Sequence, residues 1–463
     1  MLAALVLGAG VCAAPADPWL RVTSANFELF TTAGERGGRD LIQHFERVRS
    51  FFQQAFGLIP AGGNPVQIIV FRSPKEYDTY KLSEVSFAYF ESGIDHDFIV
   101  MQSASAEHYP VAVHEYAHLL LHQTGKVPRW LNEGLAELYS NLESRDGGIV
   151  VGQIIDGRMA TLQNEKWLDL QDVTTVDEHS PLYSEKTHAG MFYAESWFLV
   201  HMLALQEWYA PRFRQLGAAL LEGDTASAFL KVYGKTVEQV QQDLQLYFQM
   251  PRFTGRLFHV RLPESVEAPA IEHGGFRARV ALAEVLNSIP GRREAARSAC
   301  DALAREFPDQ WQTEQRLAEF FWRERNLEEA AQHFARAAEL GADDAHLYME
   351  YGRVQSVRGR YQEAAAALRV AVKRNSQWNE AHFELAIALV QSGSYREALR
   401  EFDLVHKLPS EQAVRFYYNQ AYAHYRLGDN VAAKKLLDKA APLATTDRER
   451  APLEELRAAC CAK

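Results

Sequence analysis

The sequence predicts an α+β domain followed by an all-α repeat solenoid. Three observations carry this. β-type runs alternate with amphipathic helices early in the chain, Pro and Gly break the helical pattern between Met250 and Gly275, and beyond that break a turn motif returns at a nearly constant interval. A chain of 463 residues exceeds one ordinary domain. The first domain is placed at 17–250, a linker or last strap at 251–275, and the solenoid at 276–463.

Within the first domain, Phe27 and Leu29 alternate with polar residues as a short strand does. Leu41, Phe45, Val48, Phe52 and Phe56 then recur at helical spacing, and Gly57 suits the helix end. Strands are expected at Val66-Gln-Ile-Ile-Val-Phe71, after Gly62-Gly-Asn-Pro65, and at Phe98-Ile-Val-Met101. From there the pattern reads as helical nearly to the end.

The formal charge of −11 repels phosphate backbones, so nucleic acid is not an expected partner. The four cysteines, Cys12, Cys300, Cys460 and Cys461, form neither a disulfide framework nor a zinc-finger spacing, so a metal site would need His and carboxylate. Residues 1–16 are small and apolar and end in Ala14-Pro15-Ala16, which reads as a signal peptide and implies an exported protein, periplasmic or extracellular. The basic stretch expected before it is missing, so either the true start lies upstream of Met1 or the segment is a plain apolar terminus. No later stretch has the length of a transmembrane helix.

The repeat comes from five turn-like segments that begin at Gly291, Arg325, Gly359, Gly393 and Gly428, spaced by 34, 34, 34 and 35 residues. Ala296, Ala330, Ala364, Ala398 and Ala433 follow each start, where two helices must approach closely, and Phe334, Leu368, Phe402 and Leu437 come one turn later. This resembles the tetratricopeptide repeat. Ala318, Gly352, Ala386 and Ala421 match that family's small residue on the first helix and Pro308 its closing proline, whereas Glu284 departs from it. Five repeats over 276–445, with a C-terminal cap, imply a concave face and a protein partner. Surface residues such as Tyr417 and Arg415 are read there as ordinary packing.

The chemistry sits in Val111-Ala-Val-His114-Glu115-Tyr-Ala-His118. Two imidazoles four residues apart lie on one helical face and can share one metal ion, while Val113, Ala117, Leu120 and Leu121 anchor the helix. Glu115 is placed to act as general base toward water, and Glu133, in Trp130-Leu-Asn-Glu133-Gly-Leu-Ala-Glu137 on the next helix, is a candidate third ligand. His122 continues the series but is not needed, and His96, His108, His179 and His201 have no spacing argument.

These segments resemble the gluzincin superfamily, which places its third ligand in an Asn-Glu pair, here Asn132-Glu133. The nearest resemblance is to the peptidase-MA-like domains of bacterial envelope proteins, over about residues 20–250. It implies an α+β zincin-like metallopeptidase domain followed by the all-α tetratricopeptide-repeat solenoid, with one Zn²⁺ held by His114, His118 and Glu133. It also implies Glu137 as a carboxylate orienting an imidazole and Tyr193 as the donor that stabilises an oxyanion. His188 and Tyr183 are competing donors. Two departures stand out: only fourteen residues separate His118 from Glu133, and the Gly-x-Met-Glu-Asn motif that grips a free amine is missing. Exopeptidase action is therefore not expected.

Two functions follow as expectations. One is zinc-dependent hydrolysis of peptide bonds, with the repeats recruiting the peptide or protein substrate or a partner. The other is an envelope interaction scaffold whose zinc domain is catalytically idle.

Overall fold

A computed structural model describes residues 18–57, 66–82, 86–93, 96–122, 127–145, 147–177, 180, 182, 186–253, 255–261, 269–406 and 412–461. The expected signal peptide at 1–16, Cys12, the Gly62–Pro65 turn, His179 and Tyr183 lie outside these residues. The chain divides into two compact units, Met1–Ala278 and Arg279–Lys463.

The first unit is built on a six-stranded sheet in the order β4-β5-β3-β2-β1-β9. β2 (Glu28–Thr31), β3 (Val66–Val70) and β5 (Asp97–Met101) run parallel. β1 (Leu20–Thr23), β4 (Ala88–Ser92) and β9 (Ala270–His273) are antiparallel to their neighbours. β3 and β5 are buried along their length, which suits their largely apolar text, with Gln67 and Asp97 as the buried polar exceptions. The helix α1 (Gly34–Phe56) buries Leu41, Ile42, Phe45, Val48, Phe51 and Phe52 and ends at Gly57 with φ 69°, a left-handed cap that glycine adopts without a Cβ penalty.

After the short α2 (Pro74–Tyr77), helices α3 (Tyr109–His122) and α4 (Arg129–Ser140) pack on each other. The sequence reading expected helices from here on, but three further strands intervene: β6 (Glu143–Arg145), β7 (Gly148–Val151) and β8 (Arg256–Phe258) form a second antiparallel sheet. The stretch 251–275, read as a linker or the last strap of the first domain, supplies β8 and β9 and belongs to the first unit. Gly255 precedes β8, and Pro269 and Gly274 flank β9, with Gly274 N–H donating to the Trp19 carbonyl.

Helices α5 (Asp156–Asn164), α6 (Leu170–Thr175), α7 (Lys186–Leu205), α8 (Phe213–Leu220), α9 (Thr225–Tyr233) and α10 (Val237–Phe248) complete the unit. α7 runs through the core, burying Phe192, Trp197, Phe198, Leu199, Val200, Met202 and Leu203. Both α4 and α5 pack on it.

The helix α11 (Gly275–Ser288) begins the second unit's helical series. α12 (Arg293–Glu306) follows, then four pairs and a last helix: α13 (Trp311–Arg323) and α14 (Leu327–Glu339), α15 (Ala345–Val357) and α16 (Tyr361–Arg374), α17 (Asn379–Gln391) and α18 (Tyr395–Asp403), α19 (Ala413–Arg426) and α20 (Asn430–Ala440), and α21 (Asp447–Cys461). Every alanine and bulky partner singled out by the repeat is buried. At Gly352 a Cβ would stand 2.4 Å from Leu368 Cγ, so the small residue lets α15 and α16 close on each other. Glu284, which departs from the pattern, is buried against the Arg316 guanidinium at 2.5 Å, and Arg316 also reaches Glu319 at 3.0 Å. No described helix is long and apolar enough to cross a membrane.

Candidate metal centre

The helix α3 carries His114, Glu115 and His118, and its buried Val113, Ala117 and Leu120 hold it in the core. One turn of rise between positions 114 and 118 stacks the imidazoles, whose Nε2 atoms stand 3.0 Å apart. The helix α4 brings Glu133 against them, its Oε2 3.6 Å from His114 Nε2 and 3.3 Å from His118 Nε2. Among the described residues these three form the one His, Cys, Asp and Glu group whose ligand atoms converge, all within 4.8 Å of one another.

The outward-facing nitrogens explain which atoms are left to bind. His118 Nδ1–H donates to Asn132 Oδ1 at 3.2 Å, and His114 Nδ1 faces Glu137 Oε1 at 3.7 Å. With the ring protons on Nδ1, both Nε2 lone pairs point at one spot, together with a buried carboxylate oxygen. Such a point favours positive charge. Burial alone would lower the His118 pKa, but the hydrogen bond and charge of Glu133, with Glu115 and Asn132, outweigh it and raise it to about 9. Burial would raise the Glu133 pKa, and the two imidazoles outweigh it and hold the carboxyl well below its usual range.

A cation other than a proton fits the same place. Ligand atoms about 2.1 Å from a tetrahedral zinc stand about 3.4 Å apart. The observed separations of 3.0, 3.3 and 3.6 Å bracket that value. Two imidazole nitrogens and one carboxylate oxygen are also a donor set that zinc takes in open, three-ligand sites.

Glu115 is half-buried beside this cluster. Its Oε2 accepts the Phe90 N–H of the terminal strand β4 at 2.8 Å, which sets the carboxylate's orientation. Burial raises its pKa, while the His114 and His118 charges and the Phe90 hydrogen bond act against that rise. A carboxylate so tuned is suited to exchanging protons with water.

Glu137 is buried, and it does not face His114 alone: Arg158 Nε and Nη2 donate to its two oxygens at 3.1 and 2.6 Å. Tyr193, half-buried on α7, reaches this corner through the same arginine, whose Cζ lies 5.2 Å from the ring centroid. His188 lies in the first turn of α7. His201 is a core residue, its Nδ1 accepting from Tyr247 O–H at 2.8 Å and its Nε2–H donating to the Gly152 carbonyl at 3.0 Å. Sequence reasoning missed Arg158 and the Phe90 amide. Neither has a local signal, because each reaches the site by a tertiary contact.

The second unit holds a cavity of about 1040 Å³ walled by Arg293, Arg297, Asp301, Phe320, Phe321 and Glu324. Two of its charged pairs are matched internally, Arg293 to Glu324 at 2.5 Å and Arg297 to Asp301 at 2.9 Å.

No curated protein matches the chain. Among solved structures it is similar to YrrB, described as a TPR protein with an unusual peptide-binding site, at 21% identity over 38% of this chain and 89% of that one, with a TM-score of 0.35. It is also similar to a MamA protein at 17% identity, covering 36% of this chain and 92% of that one, with a TM-score of 0.32. MamA from Desulfovibrio magneticus RS-1 is 15% identical over 36% and 94% of the two chains, also with a TM-score of 0.32. The tetratricopeptide repeat family matches residues 316–379, 352–410 and 383–448. The second unit therefore carries tetratricopeptide repeats.

Proposed function

We propose that the first unit is a zinc-dependent hydrolase of peptide bonds and that the repeats bring it a protein or peptide partner. The observation that carries the reading is the convergence of His114 Nε2, His118 Nε2 and Glu133 Oε2 beside a carboxylate, Glu115, that is not one of the three. A purely structural zinc site needs no such base. His114, His118 and Glu133 would hold one Zn²⁺, which when bound supplies Lewis-acid polarisation of a carbonyl and of water.

The remaining work belongs to side chains of this chain. Glu115, oriented by the Phe90 amide, takes a proton from the attacking water and returns it to the departing amine nitrogen. Tyr193 is the O–H donor toward the oxyanion that forms as the carbonyl carbon becomes tetrahedral. Glu137 and Asn132 keep the two imidazoles turned so that Nε2 faces inward.

A second reading has its own observation. The family match falls on the repeats, and helical repeats of this kind commonly act as binding surfaces, so the chain can be an interaction scaffold with an idle zinc domain. Digestion of a peptide library by the full chain with Zn²⁺ separates the two. Hydrolysis by the wild type that falls at least a thousandfold in Glu115→Gln, with zinc still bound, supports the hydrolase. Equal activity in both removes Glu115 from the chemistry, and a zinc-loaded wild type that cleaves nothing leaves the scaffold.

A further inference from the structure

Arg158 stands outside every motif in the chain, yet it contacts two of the residues just given roles. It lies near the start of α5, a helix that packs on α7, and its side chain is 29% exposed. Its guanidinium closes a two-pronged pair on Glu137, at 3.1 Å from Nε and 2.6 Å from Nη2. The same guanidinium lies over the Tyr193 ring, 5.2 Å from the centroid.

A single hydrogen bond would let a carboxylate turn about its last bond. Two parallel ones to a planar fork hold both oxygens, so Glu137 Oε1 stays facing His114 Nδ1 at 3.7 Å. Cation–π contact fixes the Tyr193 ring plane against that fork. We propose that Arg158 is a positioning residue, a single clamp that sets both the tautomer and rotation of His114, through Glu137, and the placement of the Tyr193 ring. The inference rests on the metal reading of His114, His118 and Glu133.

The role has a consequence that charge alone would reverse. Arg158 carries a positive charge near a site meant for a cation, so by Coulomb repulsion its removal should tighten metal binding. If its work is to orient Glu137 and His114, removal should weaken binding, because the imidazole loses its fixed partner.

The test measures Zn²⁺ affinity of the full chain by competition with a chromogenic chelator, for wild type, Arg158→Met, Arg158→Lys, Glu137→Gln and Arg158→Met/Glu137→Gln. Unfolding curves confirm that each variant folds. Arg158→Met is expected to bind Zn²⁺ about 10- to 100-fold more weakly. Arg158→Lys, which keeps the charge but not the fork, should fail to restore affinity. The double variant should be no weaker than the worse single one, because both changes break the same link. Zinc binding in Arg158→Met equal to or tighter than wild type overturns the positioning role, as do losses that multiply in the double variant. A wild type that binds no zinc overturns the metal reading itself and this role with it.

Discussion

A Cβ on Gly134 would stand 2.4 Å from the carbonyl oxygen of Ser196, so α4 and α7 meet backbone to backbone immediately after the candidate ligand Glu133. The Val200 side chain closes the same space at 2.5 Å. Gly134→Ala must push the two helices apart, at a cost of about 1–3 kcal/mol. The displacement also moves Glu133 away from the imidazoles. Urea unfolding should show the stability loss, and chelator competition should show at least a tenfold weaker hold on Zn²⁺. A variant unchanged in both would mean that this contact does not place the ligand.

How much of this was legible beforehand depends on the range of the contact. His114 and His118 could be read from the helical period alone, and Glu133 from its place in an Asn-Glu pair on the next helix, although its distance from His118 departs from the family's. The repeat was legible because the same alanine position returns five times and its bulky partner four times. Arg158 could not be read, since its partners Glu137 and Tyr193 are far away in sequence and meet it only after α4, α5 and α7 pack. β4 was hidden by its polar end, Glu91-Ser92, and β9 by the Pro and Gly residues around it, which read as a linker when they were strand boundaries.

Two buried groups on α7 give the first unit a pH profile. Burial lowers the His201 pKa to about 4, against the hydrogen bond to the Gly152 carbonyl, so the unfolded chain binds a proton between pH 6.5 and 4 that the folded chain refuses. That part of the stability is lost as pH falls through this window, on the order of 3 kcal/mol. Burial raises the Glu195 pKa to about 8, against the Leu168 N–H that its carboxyl accepts at 2.7 Å. The folded chain keeps a proton there that the unfolded chain releases above about 4.5, so stability falls as pH rises from 4.5 to 8. The His201 and Glu195 slopes oppose each other up to pH 6.5, and between 6.5 and 8 Glu195 and His118, with its raised pKa, both lower stability. Glu195→Gln should make that decline shallower in urea titrations. A decline equally steep in the variant would assign it to other groups.

Arg325 adopts φ 58° at the turn where the other repeats have Gly291, Gly359, Gly393 and Gly428 at φ 74–86°. An L side chain pays a steric cost in this region that glycine does not. Arg325→Gly should therefore raise stability by about 0.5–1 kcal/mol, despite the added freedom of the unfolded chain. Thermal unfolding reads this directly, and a lower midpoint would show that the Arg325 side chain contributes more than its backbone costs.

Arg316 is buried between Glu284 and Glu319. Arg316→Met leaves two carboxylates buried without their cation and should cost about 3–5 kcal/mol. Replacing all three together, as Glu284→Leu, Arg316→Met and Glu319→Leu, should recover most of that loss, because no charge then remains to desolvate. A triple variant as unstable as the single one would show that the ion cluster is itself the source of stability between these helices.

The proposed hydrolase requires that His114, His118 and Glu133 hold a metal ion. Elemental analysis of the purified full chain after equilibration with Zn²⁺ and removal of excess tests this. One zinc per chain is expected in the wild type and in Glu115→Gln, and essentially none in His118→Ala or Glu133→Ala. A wild type without stoichiometric zinc, or a His118→Ala variant that retains it, would contradict a metal site at these three residues.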